Sequence, residues 1–200
     1  EDMDLLLVNK QPGLVVHPTK GHPTGTMANA LVYRMKHTGE NFKIRFVNRL
    51  DRDTSGLVVI AKNPYAQQEL SKQMQKNQVE KIYLAVVKGN MEENHGTIDA
   101  PIGRPDPEDI MRKVLQRLKD ATVVRIKLET GRTHQIRVHM AHIGHPLIGD
   151  ELYGYTDKEL IGRQALHAEQ LIFNQPRTKE RIEVRAPIPQ DIKTLIQKLS

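Results

Sequence analysis

The sequence has no cysteine, few aromatic residues and no long apolar run. Without cysteine there is no disulfide scaffold, no thiolate zinc site, no iron–sulfur cluster and no catalytic thiol. Such a composition is compatible with a reducing compartment, and the expected location is the cytoplasm. No apolar stretch approaches the roughly 18 residues that a membrane-spanning helix needs. The start, Glu1-Asp2-Met3-Asp4, is acidic and precedes only the short run Leu5-Leu6-Leu7-Val8, which does not read as a signal peptide. It also lacks an initiator methionine, so the chain reads as a piece of something longer. What is present is 38% hydrophobic and 27% charged over 200 residues. A chain of that length buries on the order of 70% of its unfolded surface, enough for one domain with a core of its own.

The formal charge of +6 says little as a sum; its distribution says more. Between Asp4 and Glu40 there is no acidic residue, while Lys10, Lys20, Arg34, Lys36 and three histidines fall inside. Between Glu129 and Asp150 there is again none, with Arg132, Arg137, His134, His139, His142 and His145 present. Acids gather elsewhere, as in Glu92-Glu93 and Asp106-Pro107-Glu108-Asp109. Segregation of this kind suits a surface that meets a polyanion, because Lys and Arg at phosphates release condensed counterions. Ordinary solubility charge is the alternative.

Hydrophobic spacing predicts strands at 5–10, 57–61, 82–87, 171–173 and 182–184, and helices at 27–35 and 134–143. Asn63 is a candidate N-cap and Pro64 a first helical residue, followed by Ala66, Leu70 and Met74 on one stripe. A last helix carries Ile192, Leu195, Ile196 and Leu199 on its apolar side. Residues 122–129 alternate, with Val124, Ile126 and Leu128 facing one way and Arg125, Lys127 and Glu129 the other. The stretch 101–107 reads as a loop. Strands and helices alternate without a steady βαβ rhythm or a G-x-G-x-x-G turn, which predicts one α+β domain over residues 1–200 with a mixed sheet.

Three segments can carry chemistry. In Asn48-Arg49-Leu50-Asp51-Arg52-Asp53-Thr54-Ser55-Gly56 a carboxylate lies between two arginines in a turn. Neighbouring positive charge favours its ionised form. Asp51 then suits a nucleophile and Arg49 or Arg52 a phosphate or base contact; a solvated turn capped by its own Asp is the alternative. Asp51-Arg52-Asp53 also spells D-x-D, a weak divalent-metal signal that a metal-dependent hydrolase would use. In Thr130-Gly131-Arg132-Thr133-His134-Gln135-Ile136-Arg137-Val138-His139, Arg137 follows His134 by three residues, which on a helix sets both on one face. That cationic surface suits phosphates or a carboxylate, against the alternative of an amphipathic helix with its histidines outward. The histidines do not reproduce H-E-x-x-H, so no zinc site is expected. In Glu80-Lys81-Ile82-Tyr83-Leu84-Ala85, Tyr83 is by itself an ordinary core tyrosine. Gly144-His145-Pro146-Leu147-Ile148-Gly149-Asp150 and Tyr153-Gly154 form a tight Gly-rich segment without nucleotide-binding spacing.

Taken in order, NRLDRDTSG, KIYLAVVKG, API-G-R, LETGRTHQIRVHMAHIGHPLIGDELYG and ALHAEQLIF closely resemble the RluA-type pseudouridine synthase family. Val8-Asn9-Lys10 and Gly13-Leu14-Val15-Val16-His17-Pro18 resemble its first segment, so the likeness runs from about Asp4 to Pro187. It implies the pseudouridine synthase fold: α+β, a mixed, mostly antiparallel sheet in two halves with flanking helices and a central RNA-binding cleft. It implies a cofactor-free, metal-free isomerase that converts uridine to pseudouridine in structured RNA, with large-subunit ribosomal RNA the expected target. A transfer-RNA or dual-specificity isomerase is the alternative, and beyond that a non-catalytic RNA-binding or ribosome-assembly module.

By the same resemblance, Asp51 matches the family's catalytic aspartate. Tyr83 matches the active-site tyrosine, and Arg137 the basic residue that pairs with the aspartate. Arg49 matches an arginine that in some relatives fills the space left by the flipped base. Thr54, Ser55 and Gly56 are shape-setting. Lys10, Arg52, Arg132 and His134 are expected RNA contacts, and the protein is expected to be a monomer. Three departures stand out: Asn48 where the family usually has His, Gln11 where Pro is common, and Asn174 where His is common. Residues 104–121 look shorter than in relatives, as if a loop or strand were missing. The amino-terminal S4-like domain that many relatives carry is not expected in this chain.

Overall fold

The computed structural model describes residues 1–100, 110–154 and 156–200. In chain order these form β1 (Leu5–Lys10), α1 (Met27–Thr38), β2 (Arg45–Phe46), β3 (Ser55–Ala61), α2 (Pro64–Gln75), β4 (Glu80–Lys88), β5 (His95–Ile98), β6 (Ile110–Leu118), β7 (Ala121–Leu128), α3 (Gln135–His142), β8 (Leu166–Asn174), β9 (Arg181–Arg185) and α4 (Gln190–Leu199). The α+β expectation is met. The chain divides into two compact units, one of Glu1–Val79 with Ile172–Val184, the other of Glu80–Leu171 with Arg185–Ser200. Strand β8 begins in the second and ends in the first. The loop expected at 101–107 lies outside the described residues.

In the first unit, β1 and β3 pair antiparallel from Leu5 opposite Ala61 to Lys10 opposite Gly56. Every residue of β3 is buried, and β2 pairs with its far end. The helices begin where side chains satisfy the amide donors that helix starts leave open. Asn63 accepts from the Ala66 amide at 2.9 Å ahead of Pro64, and Thr26 and Asn29 form a reciprocal capping box for α1. Gln73, at the end of α2, donates to the Asn174 carbonyl at 2.8 Å and accepts from its amide at 2.9 Å, as a strand neighbour would.

In the second unit the strand order is β8-β4-β7-β6-β5, and the pairs β4–β7, β6–β7 and β5–β6 are antiparallel. Side-chain alternation gives this sheet two apolar faces. Ala85, Val87, Val124, Ile126 and Leu128 pack with Ile136 and Met140 of α3. Leu84, Val86, Val123 and Ala121 pack with Ile192 and Leu195 of α4. A helix on each side explains why β7 is buried almost throughout instead of showing one wet face. Arg125 and Lys127 still point away from Val124 and Ile126, and each meets a carboxylate: Glu169 at 2.9 Å and Glu80 at 2.9 Å. Strand β6 lies within the interval 104–121. Among the described residues no helix is long and apolar enough to cross a membrane.

The first unit is tied together at Asp4, which is buried. Its carboxylate accepts from Arg177 at 2.8 and 3.0 Å, from Asn63 at 2.7 Å and from Gln175 at 3.1 Å. The Arg177 hydrogen bonds hold its pKa well below the ordinary carboxylate range, against the opposing effect of burial. A carboxyl depressed in the fold adds stability that is present above its unfolded pKa of about 3.9 and lost as pH falls toward the folded value. The resistance of the wild type to urea is therefore expected to fall steeply below about pH 4. Asp4→Asn is expected to be less stable at pH 7 and to show a shallower acid decline; an unaltered decline would assign acid sensitivity to other groups.

Candidate functional site

In the first unit the candidate site is the turn from Asn48 to Gly56, leading into β3. Asn48 bridges to that strand before the turn begins: its amide donates to the Leu57 carbonyl at 3.1 Å and accepts from the Val59 amide at 2.7 Å. The Thr54 amide closes the turn on the Asp51 carbonyl at 3.1 Å. Gly56 takes φ 116°, open to glycine and strained for other residues. Thr54 and Ser55 are buried, Asp51 is half-buried and Arg49 is exposed. Arg52 is exposed and forks onto Asp53 at 2.9 Å. That pairing occupies one carboxylate of the D-x-D signal, and among the described residues no group of three or more acidic or histidine side chains could hold a metal.

Lys10 is placed differently from the expected RNA contact. It is 1% exposed. Because Lys10 stands opposite Gly56 in the β1–β3 register, its ammonium reaches under the turn. There it donates to the carbonyls of Arg52 at 2.8 Å, Leu14 at 2.9 Å and Gln11 at 3.0 Å. An ammonium has three donors, and a buried one must place them all. Lys10 thus fastens the residue after Asp51 from inside the unit.

In the second unit Tyr83 is half-buried on β4, opposite Ile126, with its side chain against the cluster covered by α3. Two residues earlier on the same face, Lys81 is buried. Its ammonium donates to the carbonyls of Glu129 at 3.0 Å and Thr130 at 2.8 Å, and burial pushes its pKa down. The loop it holds carries exposed Arg132 and half-buried His134. Gln135 Oε1 finishes the loop by accepting from the Arg132 amide at 3.1 Å and the Thr130 hydroxyl at 2.9 Å.

The cationic outer surface expected on α3 is not what forms. Gln135, Ile136, Arg137, His139 and Met140 are all buried, because α3 is clamped against the sheet. His134 is no helical neighbour of Arg137 but the N-cap, left-handed at φ 58° and ψ 18°. Arg137 forks onto Asp150, with Nε–Oδ2 at 2.6 Å and an Nη2–Oδ1 bond of 2.7 Å. Asp150 is fully buried and also accepts from the amides of Leu152 at 3.0 Å and Tyr153 at 3.1 Å. Burial pushes the Asp150 pKa up, but Arg137 and those two amides prevail and hold it below the ordinary range. Gly149 and Gly154 bracket this segment: a Cβ on Gly149 would strike the Arg163 carbonyl, and one on Gly154 would lie 2.6 Å from the Leu147 carbonyl. The glycines seen in the sequence are there for close packing around Asp150.

A fork of Arg137 to Asp150, a bridge from Asn48 and a hold by Lys81 were not anticipated. The G-D-E-L-Y-G segment was a visible signal, but nothing in its spacing names the arginine that Asp150 holds.

Comparison with known proteins places these residues in a family. Residues 4–142 match the family described as RNA pseudouridylate synthase. An uncharacterized RNA pseudouridine synthase of Bacillus subtilis, YjbO, is 44% identical across 98% of this chain and 74% of its own length. Ribosomal large subunit pseudouridine synthase D of Haemophilus ducreyi is 40% identical across 100% of this chain and 69% of its own. Among solved structures, human RNA pseudouridylate synthase domain containing 1 superposes with a TM-score of 0.76 at 27% identity, covering 100% of this chain and 92% of that one.

The buried fork makes a direct prediction. Asp150→Asn leaves a buried guanidinium without its anion, and is expected to cost about 3–5 kcal/mol in urea unfolding. Adding Arg137→Met to Asp150→Asn removes the unpaired charge and keeps an oxygen for the Leu152 and Tyr153 amides, and is expected to recover much of that stability. A single substitution costing under about 1 kcal/mol would show that the fork is not structural.

Proposed function

We propose, for a chain that belongs to the RNA pseudouridylate synthase family, that Asp51 isomerises uridines of structured RNA, in large-subunit ribosomal RNA. Membership makes the protein a pseudouridine synthase, an isomerase; the target, the nucleophile and the flipping step are the content of the proposal. The observation that carries it is the Asp51 turn, bridged to β3 by Asn48 on one side and held by buried Lys10 on the other. Nucleophiles work best where their position is set before substrate arrives.

The reaction breaks the N1–C1′ glycosidic bond and makes a C5–C1′ bond, with a proton leaving C5 and one taken up at N1. No electrons are exchanged with a partner. Asp51 attacks either C1′ or the pyrimidine ring and is expelled when the new carbon–carbon bond is complete. The target uridine leaves its stack at a cost of a few kcal/mol, and Arg49 takes the vacated place. Tyr83 offers a ring face to the detached uracil while it turns. Arg137 supplies the basic residue that the family pairs with its aspartate, its own orientation fixed by Asp150. Thr54, Ser55 and Gly56 set the turn, while Arg52, Arg132 and His134 meet phosphates. The protein acts as a monomer in the cytoplasm.

Displacement of the C5 hydrogen supplies the test. RNA made with C5-tritiated uridine is expected to release tritium with wild-type protein, from large-subunit ribosomal RNA and not from transfer RNA. Asp51→Ala is expected to release less than about one thousandth as much, since removing a nucleophile leaves only binding and polar effects. RNA affinity of that variant is expected to stay within about twofold, because phosphate contacts supply most of it. Release from transfer RNA alone would move the target, and turnover by Asp51→Ala would end the nucleophile assignment.

A further inference from the structure

Tyr153 belongs to the G-D-E-L-Y-G segment and has no part in the roles above, yet it touches two of the residues that do. Its hydroxyl is hydrogen-bonded to Nδ1 of His134 at 3.1 Å. Its ring meets the imidazole edge to face, with centroids 5.5 Å apart. The same ring lies under the Arg137 guanidinium, whose central carbon is 5.2 Å from the ring centroid. That is a cation–π distance. The ring is fixed from behind, because the Tyr153 amide donates to Asp150 and Gly154 packs against the Leu147 carbonyl. It is nonetheless 37% exposed, too open for a residue whose whole task is to fill a core.

The backbone adds an independent sign. His134 is left-handed at φ 58°, a conformation that costs a non-glycine residue energy and persists only where its surroundings enforce it. His134 is also the N-cap of α3 and makes no side-chain capping bond. Its ring goes to Tyr153 instead. One aromatic side chain therefore holds both the strained residue that begins α3 and the guanidinium one turn inside it.

We infer that Tyr153 is a positioning residue for the uridine reaction, orienting Arg137 through its ring and His134 through its hydroxyl. The inference rests on the proposed roles of Arg137 and His134 in that reaction. Its two contacts predict two separable defects. Tyr153→Leu keeps the fork to Asp150 but removes the ring from beneath the guanidinium, which lowers kcat about tenfold with a smaller effect on KM. Tyr153→Phe keeps the ring and loses only the hydrogen bond, so it raises KM about threefold and lowers kcat less. His134→Ala has the same KM effect, and combining it with Tyr153→Phe adds nothing further, because both remove one contact.

The experiment measures kcat and KM for tritium release from total cellular RNA made with C5-tritiated uridine, with thermal unfolding of each variant alongside. Asp51→Ala is assayed in parallel. The split between Tyr153→Leu and Tyr153→Phe, with the non-additive double variant, is the expected result. Wild-type kcat in Tyr153→Leu, or fully additive KM effects of Tyr153→Phe and His134→Ala, would overturn it. So would losses in all variants that merely track the fall in Tm. Tritium release by Asp51→Ala would instead overturn the underlying reading, whatever the Tyr153 variants do.

Discussion

A guanidinium removed from water needs an anion in the right geometry, and in the second unit that demand is met by Asp150 beneath Arg137. Asp150 is fully buried and Arg137 nearly so. Meeting it fixes more than two side chains. The amides of Leu152 and Tyr153 turn inward to the same carboxylate, which sets the Gly-rich segment and brings the Tyr153 ring under Arg137. The buried pair need not add net stability over an apolar replacement. What it supplies is a single orientation for a cation that the proposed chemistry uses.

The same constraint recurs wherever a cation is buried. Lys10 places its three donors on carbonyls around the Asp51 turn. Lys81 places two on the loop that leads into α3. Arg163 forks onto Asp191 at 2.7 and 3.1 Å and donates to the carbonyls of Gln164 and Leu166, securing α4 to the start of β8. In the two lysine cases a long side chain rooted in a strand holds irregular backbone in place. Loops that carry the proposed reactive groups thereby gain the rigidity of the scaffold, which preorganised catalysis requires.

Local pattern carried much of this into the sequence. β1 was readable from its apolar run. The start of α2 was readable from Asn63 and Pro64, and one face of β7 from its alternation. β6 was not, because its exposed positions include Met111 and Leu115 beside Lys113 and a bulge between Val114 and Gln116 breaks its period. α3 showed the right spacing for Ile136 and Met140, but burial of its polar residues depends on partners that periodicity does not name. Asp51, Tyr83 and Arg137 were legible as motif residues. Asn48, Lys81, Asp150 and Tyr153 were not legible in their roles, since each acts through a contact with a particular backbone group or side chain. Lys81 reaches carbonyls 48 and 49 residues further on, and no spacing rule predicts such a reach. Lys10 was misplaced for the same reason: a lysine in an acid-free stretch looks like a surface cation until its strand partner is known.

The central claim is that a carboxylate at Asp51, held on a fixed turn, remakes uridine in ribosomal RNA. Mapping pseudouridine across total RNA from cells that lack this protein tests it most directly. The account predicts that at least one pseudouridine disappears from large-subunit ribosomal RNA and returns with the wild-type protein but not with Asp51→Ala. An unchanged pseudouridine map, or full restoration by Asp51→Ala, would contradict it.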